Sequence, residues 1–337
     1  MPTGVSLWQH GPSRGVCMKT LYVMDPLDRI QVQGDSTYMM ILDGQRLGWQ
    51  SWATTPGELF TLDGAGWAVC TPVSVAGDHG DPLQAGPPQE RCLGDFDVVW
   101  MRKDPPFDMD YVFSTYILDL VPPETLVLND PAGLRDANEK MVALRWPDLC
   151  PPTLVTRDIA RALAWIDKAP GKVVLKPWDG NGGRGVVISQ SGDGNLRALL
   201  ELLSEEQQTH LVVQHYIPEI AQGDKRIILI EGEAVGWMAR VPQPGDHRGN
   251  MHVGARVEGV DLSQRDREIC AEIGPWLKKR GFVFVGIDII GDYLTEINVT
   301  SPTGIQEINA LMGLTLERTL SDAVSGRLAQ HRQGATS

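Results

Sequence analysis

Residues 176–188 read KPWDGNGGRGVVI, and the spacing Gly180-x-Gly182-x-x-Gly185 matches a dinucleotide-binding fingerprint. That fingerprint works between a strand and a helix, whose N-terminus carries the pyrophosphate. Here the flanks are Lys172–Leu175 and Val186–Ser189, and both favour strands. The segment is expected to be a hairpin with a glycine tip, with no helix dipole at a phosphate. Glycine still lets successive backbone N–H groups converge on an anion as a nest. Lys176, just before the turn, can put a charge on the same phosphates. Without that lysine the stretch would read as an inert surface hairpin.

The chain of 337 residues has room for two or three domains. A formal net charge of -13 argues against nucleic acid or an anionic membrane as the main partner. A small anionic substrate stays open, because clustered arginines can override the global field. The five cysteines, Cys17, Cys70, Cys92, Cys150 and Cys270, form no Cys-x-x-Cys pair, which fits reduced thiols in a cytoplasmic protein. No apolar run approaches the ~20 residues that span a bilayer. Residues 1–17 lack a signal-peptide core and are expected to be a disordered tail or an upstream start, with the fold opening at Met18.

From Met18 to about residue 138, strands at Leu21–Met24 and Asp97–Met101 flank the helix-spaced STYMMILDGQRLGW, so a parallel sheet with crossovers is expected. His79–Glu90 is rich in Pro and Gly and reads as a surface loop. A second region, 139–215, holds a helix capped by Thr156, the glycine hairpin, a helix near Leu196–Leu203 and a strand at His210–Gln214. The third, 216–330, holds a strand at Arg226–Ile230, a loop from Val241 to Glu258 and a helix from Ser263 to Arg280. Two strands and a final helix near Leu314–Gln330 complete it.

The stretch GIDIIGDYLTEINVTSPTG carries the clearest chemistry. Asp288, Glu296 and Asn298 are oxygen ligands set among Ile287, Ile289, Ile290, Ile297 and Val299, so their strands read as buried. Oxygen donors without His or Cys suit Mg²⁺. Glu296 and Asn298 share a strand face. A two-residue turn at Gly291-Asp292 would put Asp288 on the other face; an odd-numbered turn or a bulge would bring all three together. Arg102, Lys103, Arg226, Arg240, Arg248 and Arg256 add groups suited to carboxylates and phosphates.

MRKDPPFD, LRDANEK, KPWDGNGG, GDKR, RGN, FVGIDIIGDYLTEINVTSPTG and the opening YVMDP together resemble the prokaryotic type of glutathione synthetase, of the ATP-grasp superfamily, in order from about Met18 to Arg327. The resemblance implies an ATP-grasp fold with an α+β lid, preceded by an N-terminal parallel-sheet α/β domain. It implies ligation of γ-glutamylcysteine to glycine with ATP as co-substrate and Mg²⁺ or Mn²⁺ as cofactor, through an acyl phosphate. By position, Lys140 and Lys176 match the lysines on the nucleotide phosphates, beside Gly182 and Gly183 of the covering loop. Gln214, His215, Tyr216 and Ile217 match the adenine segment, with Asp224 near the ribose. Glu296 and Asn298, with Asp288, match the metal ligands, and Arg240 the group steadying the phosphoryl transfer. Arg102, Arg226, Ser301 and Thr303 are candidates for the dipeptide carboxylates. Arg248, Asn250 and Arg256 lie in a loop expected to close over the dipeptide. A dimer or tetramer is implied. Another ATP-grasp carboxylate–amine ligase would share the lid and the metal hairpin but not MRKDPPFD.

Overall fold

A computed structural model describes residues 17–180, 182–243 and 254–335. The first sheet is built on β1 (Lys19–Val23), β2 (Gln50–Thr54), β7 (Val98–Met101) and β8 (Leu126–Leu128), all parallel in the order β2-β1-β7-β8. Most of their residues are buried, with Leu21, Tyr22, Val23, Val98, Val99, Trp100, Leu126 and Leu128 forming apolar surface on both faces. Helix α1 (Ser36–Arg46) makes the first crossover, and the Asp35 carboxylate accepts from Tyr38 N at its start. Helix α2 (Met109–Leu118) opens in the same way at Asp108, and α3 (Pro131–Asp136) follows β8.

This half is more strand-rich than the sequence indicates. β3 (Leu59–Leu62), β4 (Ala65–Val75), β5 (Leu83–Ala85) and β6 (Gln89–Cys92) form an antiparallel flap on β2. The stretch expected to be a plain loop at His79–Glu90 thus contains β5 and the start of β6. Both strands find their partner in the long β4, a tertiary pairing that outweighs the local Pro and Gly signals.

The second sheet has β9 (Thr153–Thr156), β10 (Val173–Pro177), β11 (Val187–Ser189) and β12 (Leu211–His215), antiparallel in the order β11-β10-β12-β9. The glycine segment joins β10 to β11, as its flanks foretell. Helices α4 (Ile159–Ile166) and α5 (Leu196–Leu203) cover the sheet, and Ile159, Ile166, Val173, Leu175, Leu200 and Val213 belong to a core of its own. The cap of α4 is Asp158, not Thr156. The Asp158 carboxylate accepts from Arg161 N, while Thr156 ends β9 and accepts from Asp158 N.

The third sheet runs β15-β14-β13-β16-β17, all antiparallel: β13 (Asp224–Ile230), β14 (Glu233–Val241), β15 (Arg256–Glu258), β16 (Phe284–Ile290) and β17 (Tyr293–Asn298). It shares two large cores with the first sheet: Ile227 and Leu229 join Leu21 and Val23, and Ile228 and Ile230 join Tyr22 and Met24. Helices α6 (Gln264–Lys279), α7 (Ile305–Met312) and α8 (Leu316–Ala335) pack around it. Ser263 and Asp266 form a capping box on α6, and Gly281 beyond its end has φ 76°. Helix α7 was not foreseen, and α8 runs further than the sequence pattern indicates. The end of the expected long loop, Arg256–Glu258, is a strand on β14, while residues 244–253, with Arg248 and Asn250, lie outside the described residues. The five cysteines are free. Among the described residues no helix is long and apolar enough to cross a membrane.

Side-chain contacts tie the N-terminal half to the third sheet and its helices. Asn129, just after β8, donates from Nδ2 to Phe284 O (2.9 Å) and Val299 O (2.8 Å) and accepts at Oδ1 from Val283 N (2.8 Å). Arg318 of α8 pairs at 2.7 Å with the buried Asp43 of α1. Elsewhere backbones touch: a Cβ at Gly274 in α6 would lie 2.3 Å from Gly232 O. An exposed helical Gly→Ala exchange gains up to about 1 kcal/mol, but overpacking costs about 1–3 kcal/mol. Gly274→Ala should therefore lower the thermal unfolding midpoint. Gly326→Ala in α8, which meets nothing within 4 Å, should raise it.

Candidate active site

A cleft of about 540 Å³ lies between the second and third sheets, walled by residues of both and by Asp104, Pro105, Glu139 and Lys140. β10 and β12 run antiparallel with Lys176 on one and Gln214 on the other, and Lys176 Nζ donates to Gln214 Oε1 at 3.1 Å. The glycine tip reaches over the cleft with positive φ at Gly182 (61°), Gly183 (76°) and Gly185 (70°), a conformation that favours glycine. Val174, Val186, Ile188, Ile217, Ile220 and Ile290 supply an apolar lining. His215 and Tyr216 also line the cleft where β12 leaves the second sheet.

The hairpin of β16 and β17 turns through two residues, Gly291 and Asp292, with Ile290 opposite Tyr293. A bulge between Asp288 and Ile289 then shifts the register by one, so Asp288 lies opposite Glu296. Residues directly opposite share a face, so the bulge brings Asp288, Glu296 and Asn298 to one side. Asn298 Nδ2 donates to Asp288 Oδ2 at 3.2 Å, which leaves the Asn298 carbonyl oxygen for a cation.

Register partners also build a buried chain of charges. Asp224 lies opposite Arg240, and Arg226 opposite Asp288. Arg240 holds Asp224 with Nε and Nη2 (2.7 and 2.6 Å), and Nη2 also reaches Asp288 at 3.1 Å. Arg226 holds Asp288 with Nε and Nη2 (2.6 and 3.0 Å) and donates from Nη1 to Thr303 O at 3.2 Å. Burial alone would raise the pKa of Asp288, but Arg226 and Arg240 outweigh it and hold the carboxyl well below its usual range. Burial raises Asp224 despite Arg240. Gly286 makes this possible, since a Cβ there would sit 3.3 Å from the Arg226 side chain and 3.1 Å from Pro302.

Lys140 Nζ sits among Glu139 Oε1 (2.5 Å), Gly180 O (2.5 Å) and Glu296 Oε1 (3.7 Å). Burial would lower its pKa, but Glu296 and Glu139 raise it. For Lys176 burial prevails and the pKa falls. Burial and the Glu296 charge raise Glu139.

Lys140, Lys176, Gly182, Gly183, Gln214, His215, Tyr216, Ile217, Asp224, Arg226, Arg240, Asp288, Glu296, Asn298, Ser301 and Thr303 all wall this cleft. Four of the expected site residues are placed otherwise than the sequence indicates. Asp224, expected beside the ribose, commits both carboxylate oxygens to Arg240 because its strand partner presents a guanidinium to it. Arg226, expected on a dipeptide carboxylate, commits its donors to Asp288 and Thr303 O. Arg102 is buried beside the cleft instead of lining it. Arg256 is exposed on β15, pairs with Glu258 at 3.1 Å, and does not line the cleft. Glu139 and Arg184 were missed. Glu139 adjoins Lys140 in LRDANEK, and a carboxylate next to a phosphate-seeking lysine is the signal that could have found it.

Two family models match the chain: the prokaryotic glutathione synthetase N-terminal domain over residues 18–135 and the prokaryotic glutathione synthetase ATP-grasp domain over residues 139–313. A glutathione synthetase of Mesorhizobium japonicum is 43% identical over 92% of this chain and 99% of its own length. One of Brucella melitensis is 44% identical over 93% and 100%. In fold, the chain is similar to the D-cycloserine synthetase DcsG (TM-score 0.62, 14% identity, covering 92% of this chain and 99% of that one). It is also similar to a RimK-domain ATP-grasp protein of Sphaerobacter thermophilus (TM-score 0.59, 17% identity, covering 91% and 99%). Matched along nearly its whole described length, the chain belongs to the prokaryotic glutathione synthetase family and has an ATP-grasp fold behind an N-terminal parallel-sheet domain.

Proposed function

We infer that this chain joins γ-glutamylcysteine to glycine, with ATP cleaved to ADP and phosphate. The observation that carries this is the meeting of Lys140, Lys176, Arg240 and the Glu296–Asn298 face in one cleft, under a glycine tip. The relatives named glutathione synthetase support the choice of substrates. A carboxylate is a poor acylating group, so its oxygen attacks the γ-phosphorus and ADP leaves. The glycine amine then attacks the acyl carbon, loses a proton and expels phosphate. The protein's part is charge neutralisation and positioning.

Lys140 and Lys176 face the nucleotide phosphates with the N–H groups of Gly182 and Gly183. The segment Gln214–Ile217 meets the adenine mainly through its backbone. Arg240 steadies the moving phosphoryl group from Nη1, since its other donors already hold Asp224 and Asp288. Asp224 is its anchor. Ser301 and Thr303 meet the dipeptide, and Arg226 holds Thr303 from behind. Arg248 and Asn250 stay with the proposed covering loop.

The donor set fits a hard divalent cation, Mg²⁺ or Mn²⁺: among the described residues the half-buried Glu296 has a 3.7 Å contact to Lys140 and the Asn298 side-chain oxygen accepts no hydrogen bond. Glu296 and Asn298 would hold it, with Asp288 behind them tied to two arginines. Such an ion supplies Lewis-acid neutralisation of phosphate charge. We also read residues 18–138 as the dipeptide-side domain, 139–215 as the lid and 216–330 as the metal-bearing part, in a cytoplasmic dimer or tetramer. The grouping of strands into three sheets supports that division.

In an ADP-release assay with product mass measured, γ-glutamylcysteine with glycine should give one tripeptide per ADP and far exceed alanyl dipeptides. Equal turnover of D-alanine as both partners would sink the reading. Glu296→Gln should keep its circular dichroism and melting profile but lose about 100-fold or more in turnover, a loss in the range of removing one preorganised electrostatic group.

The lowered Lys176 pKa gives a pH dependence with a definite sign. Phosphate needs the ammonium form, so ADP affinity is full below the free protein's Lys176 pKa and falls as pH rises through it, beginning below the ordinary lysine value of 10.5. Lys140, raised by its carboxylates, stays charged through that window. Lys176→Arg should move the fall to higher pH, because a guanidinium stays protonated. Calorimetric titration of ADP across the alkaline range checks this, and an unmoved profile would assign the fall to another group.

A further inference from the structure

Arg102 stands at the end of β7 and is only 3% exposed. Its Nε donates to Thr37 Oγ1 of α1 at 3.1 Å, and its Nη2 donates to Pro302 O at 3.1 Å. Its guanidinium lies 5.1 Å from the centroid of the Phe284 ring, a contact that suits a flat cation. Among the described residues its guanidinium is hydrogen-bonded to a hydroxyl and a carbonyl and faces a ring, while the carboxylates of Asp104 and Asp35 favour its charge without a hydrogen bond to it, and burial still outweighs them. Burying a guanidinium on such terms is costly, so its placement calls for an explanation beyond packing.

The next carbonyl along supplies one. Thr303 O accepts from Arg226 Nη1 at 3.2 Å, so two consecutive carbonyls, Pro302 O and Thr303 O, are held by buried arginines from different sheets. The ends of the same segment are fastened as well. Val299 O accepts from Asn129, and Gln306 Nε2 donates to Val32 O (2.7 Å) and Asp35 O (3.0 Å). Every one of these ties except Arg226 leads back to the N-terminal half. Thr300, Ser301 and Thr303 wall the cleft, whereas Arg102 does not.

We propose that Arg102 is a positioning residue: it fixes the height of the 300–303 segment, and so the place of Ser301 and Thr303, without touching the dipeptide. This rests on the dipeptide reading above. A lysine at 102 could reach one acceptor but could neither bridge Thr37 and Pro302 as a fork nor stack on Phe284. The N-terminal sheet would then contribute to substrate affinity through one backbone carbonyl.

The test is calorimetric binding of γ-glutamylcysteine, and separately of ADP, to the full chain and to Arg102→Lys, Arg102→Met and Thr37→Val. Two analogues of the dipeptide, each with one carboxylate replaced by an amide, are titrated alongside. The Arg102 variants should bind the dipeptide about ten-fold more weakly, the scale of one hydrogen bond to a charged donor, with ADP affinity within about two-fold. Thr37→Val should show a smaller loss of the same pattern, which keeps the test open if Arg102→Met does not fold. The loss should be equal for the dipeptide and both analogues, because a positioning residue is blind to either carboxylate. A loss that vanishes with one analogue would make Arg102 a direct ligand of that carboxylate and overturn the proposal. An equal loss of ADP affinity would reduce Arg102 to general packing and overturn it too. If the unaltered chain binds no γ-glutamylcysteine, the functional reading falls and this proposal with it. Unchanged binding by all three variants sinks this proposal alone.

Discussion

The third sheet is organised around a buried relay of alternating charges, Asp224, Arg240, Asp288 and Arg226, drawn from three adjacent strands. Each acid–base pair that shares a bidentate contact is also a pair of register partners. Strand alignment and charge balance are therefore one constraint. A slip of one residue would set aliphatic side chains against ions on both faces. Removing one member of a buried ion network leaves its partner uncompensated, at a cost of about 3–5 kcal/mol. The bulge after Asp288 is what lets this relay and the Glu296–Asn298 face share one side of the sheet.

The relay also sets what the cleft can offer a ligand. Asp288 is screened from behind by two guanidinium groups, so of the two hairpin carboxylates that wall the cleft Glu296 keeps the more open acceptor capacity among the described residues. Lys140 bridges Glu139, Glu296 and a carbonyl of the glycine tip. Phosphate oxygens arriving there would replace carboxylate partners already in place, so binding exchanges one set of charge pairs for another. That makes the affinity depend on geometry more than on net charge, consistent with a chain that is strongly acidic overall.

How much of this the sequence discloses depends on the range of the forces involved. The glycine tip between two strands, the α6 cap at Ser263 and the oxygen-donor hairpin are local patterns, and they are found where expected. The alternatives for Asp288 could be stated from side-chain parity, but choosing the bulge required knowing that Arg226 faces it across the sheet. The sequence points Asp224 and Arg226 at ligands because it shows a charged residue's chemistry and not which strand lies beside it. The flap strands β3 to β6 were unreadable for the same reason: β5 is three residues long and exists through its pairing with β4. Thr156 lost the α4 cap to Asp158 by two residues, since both side chains can accept from the backbone and only the end of β9 decides between them.

The second sheet keeps a hydrophobic core that it shares with neither of the others, while the first and third sheets are fused through two common cores. Opening the cleft therefore need not expose the apolar interior of either body. Cooperative unfolding follows contiguous packing, so the residues of β9 to β12 form a unit whose amide protons can exchange with solvent together, ahead of those buried between the other two sheets. A nucleotide gripped by Lys176 on one side and Lys140 on the other would tie that separate unit to the fused pair, and its amides would then exchange on the slower clock of the whole molecule.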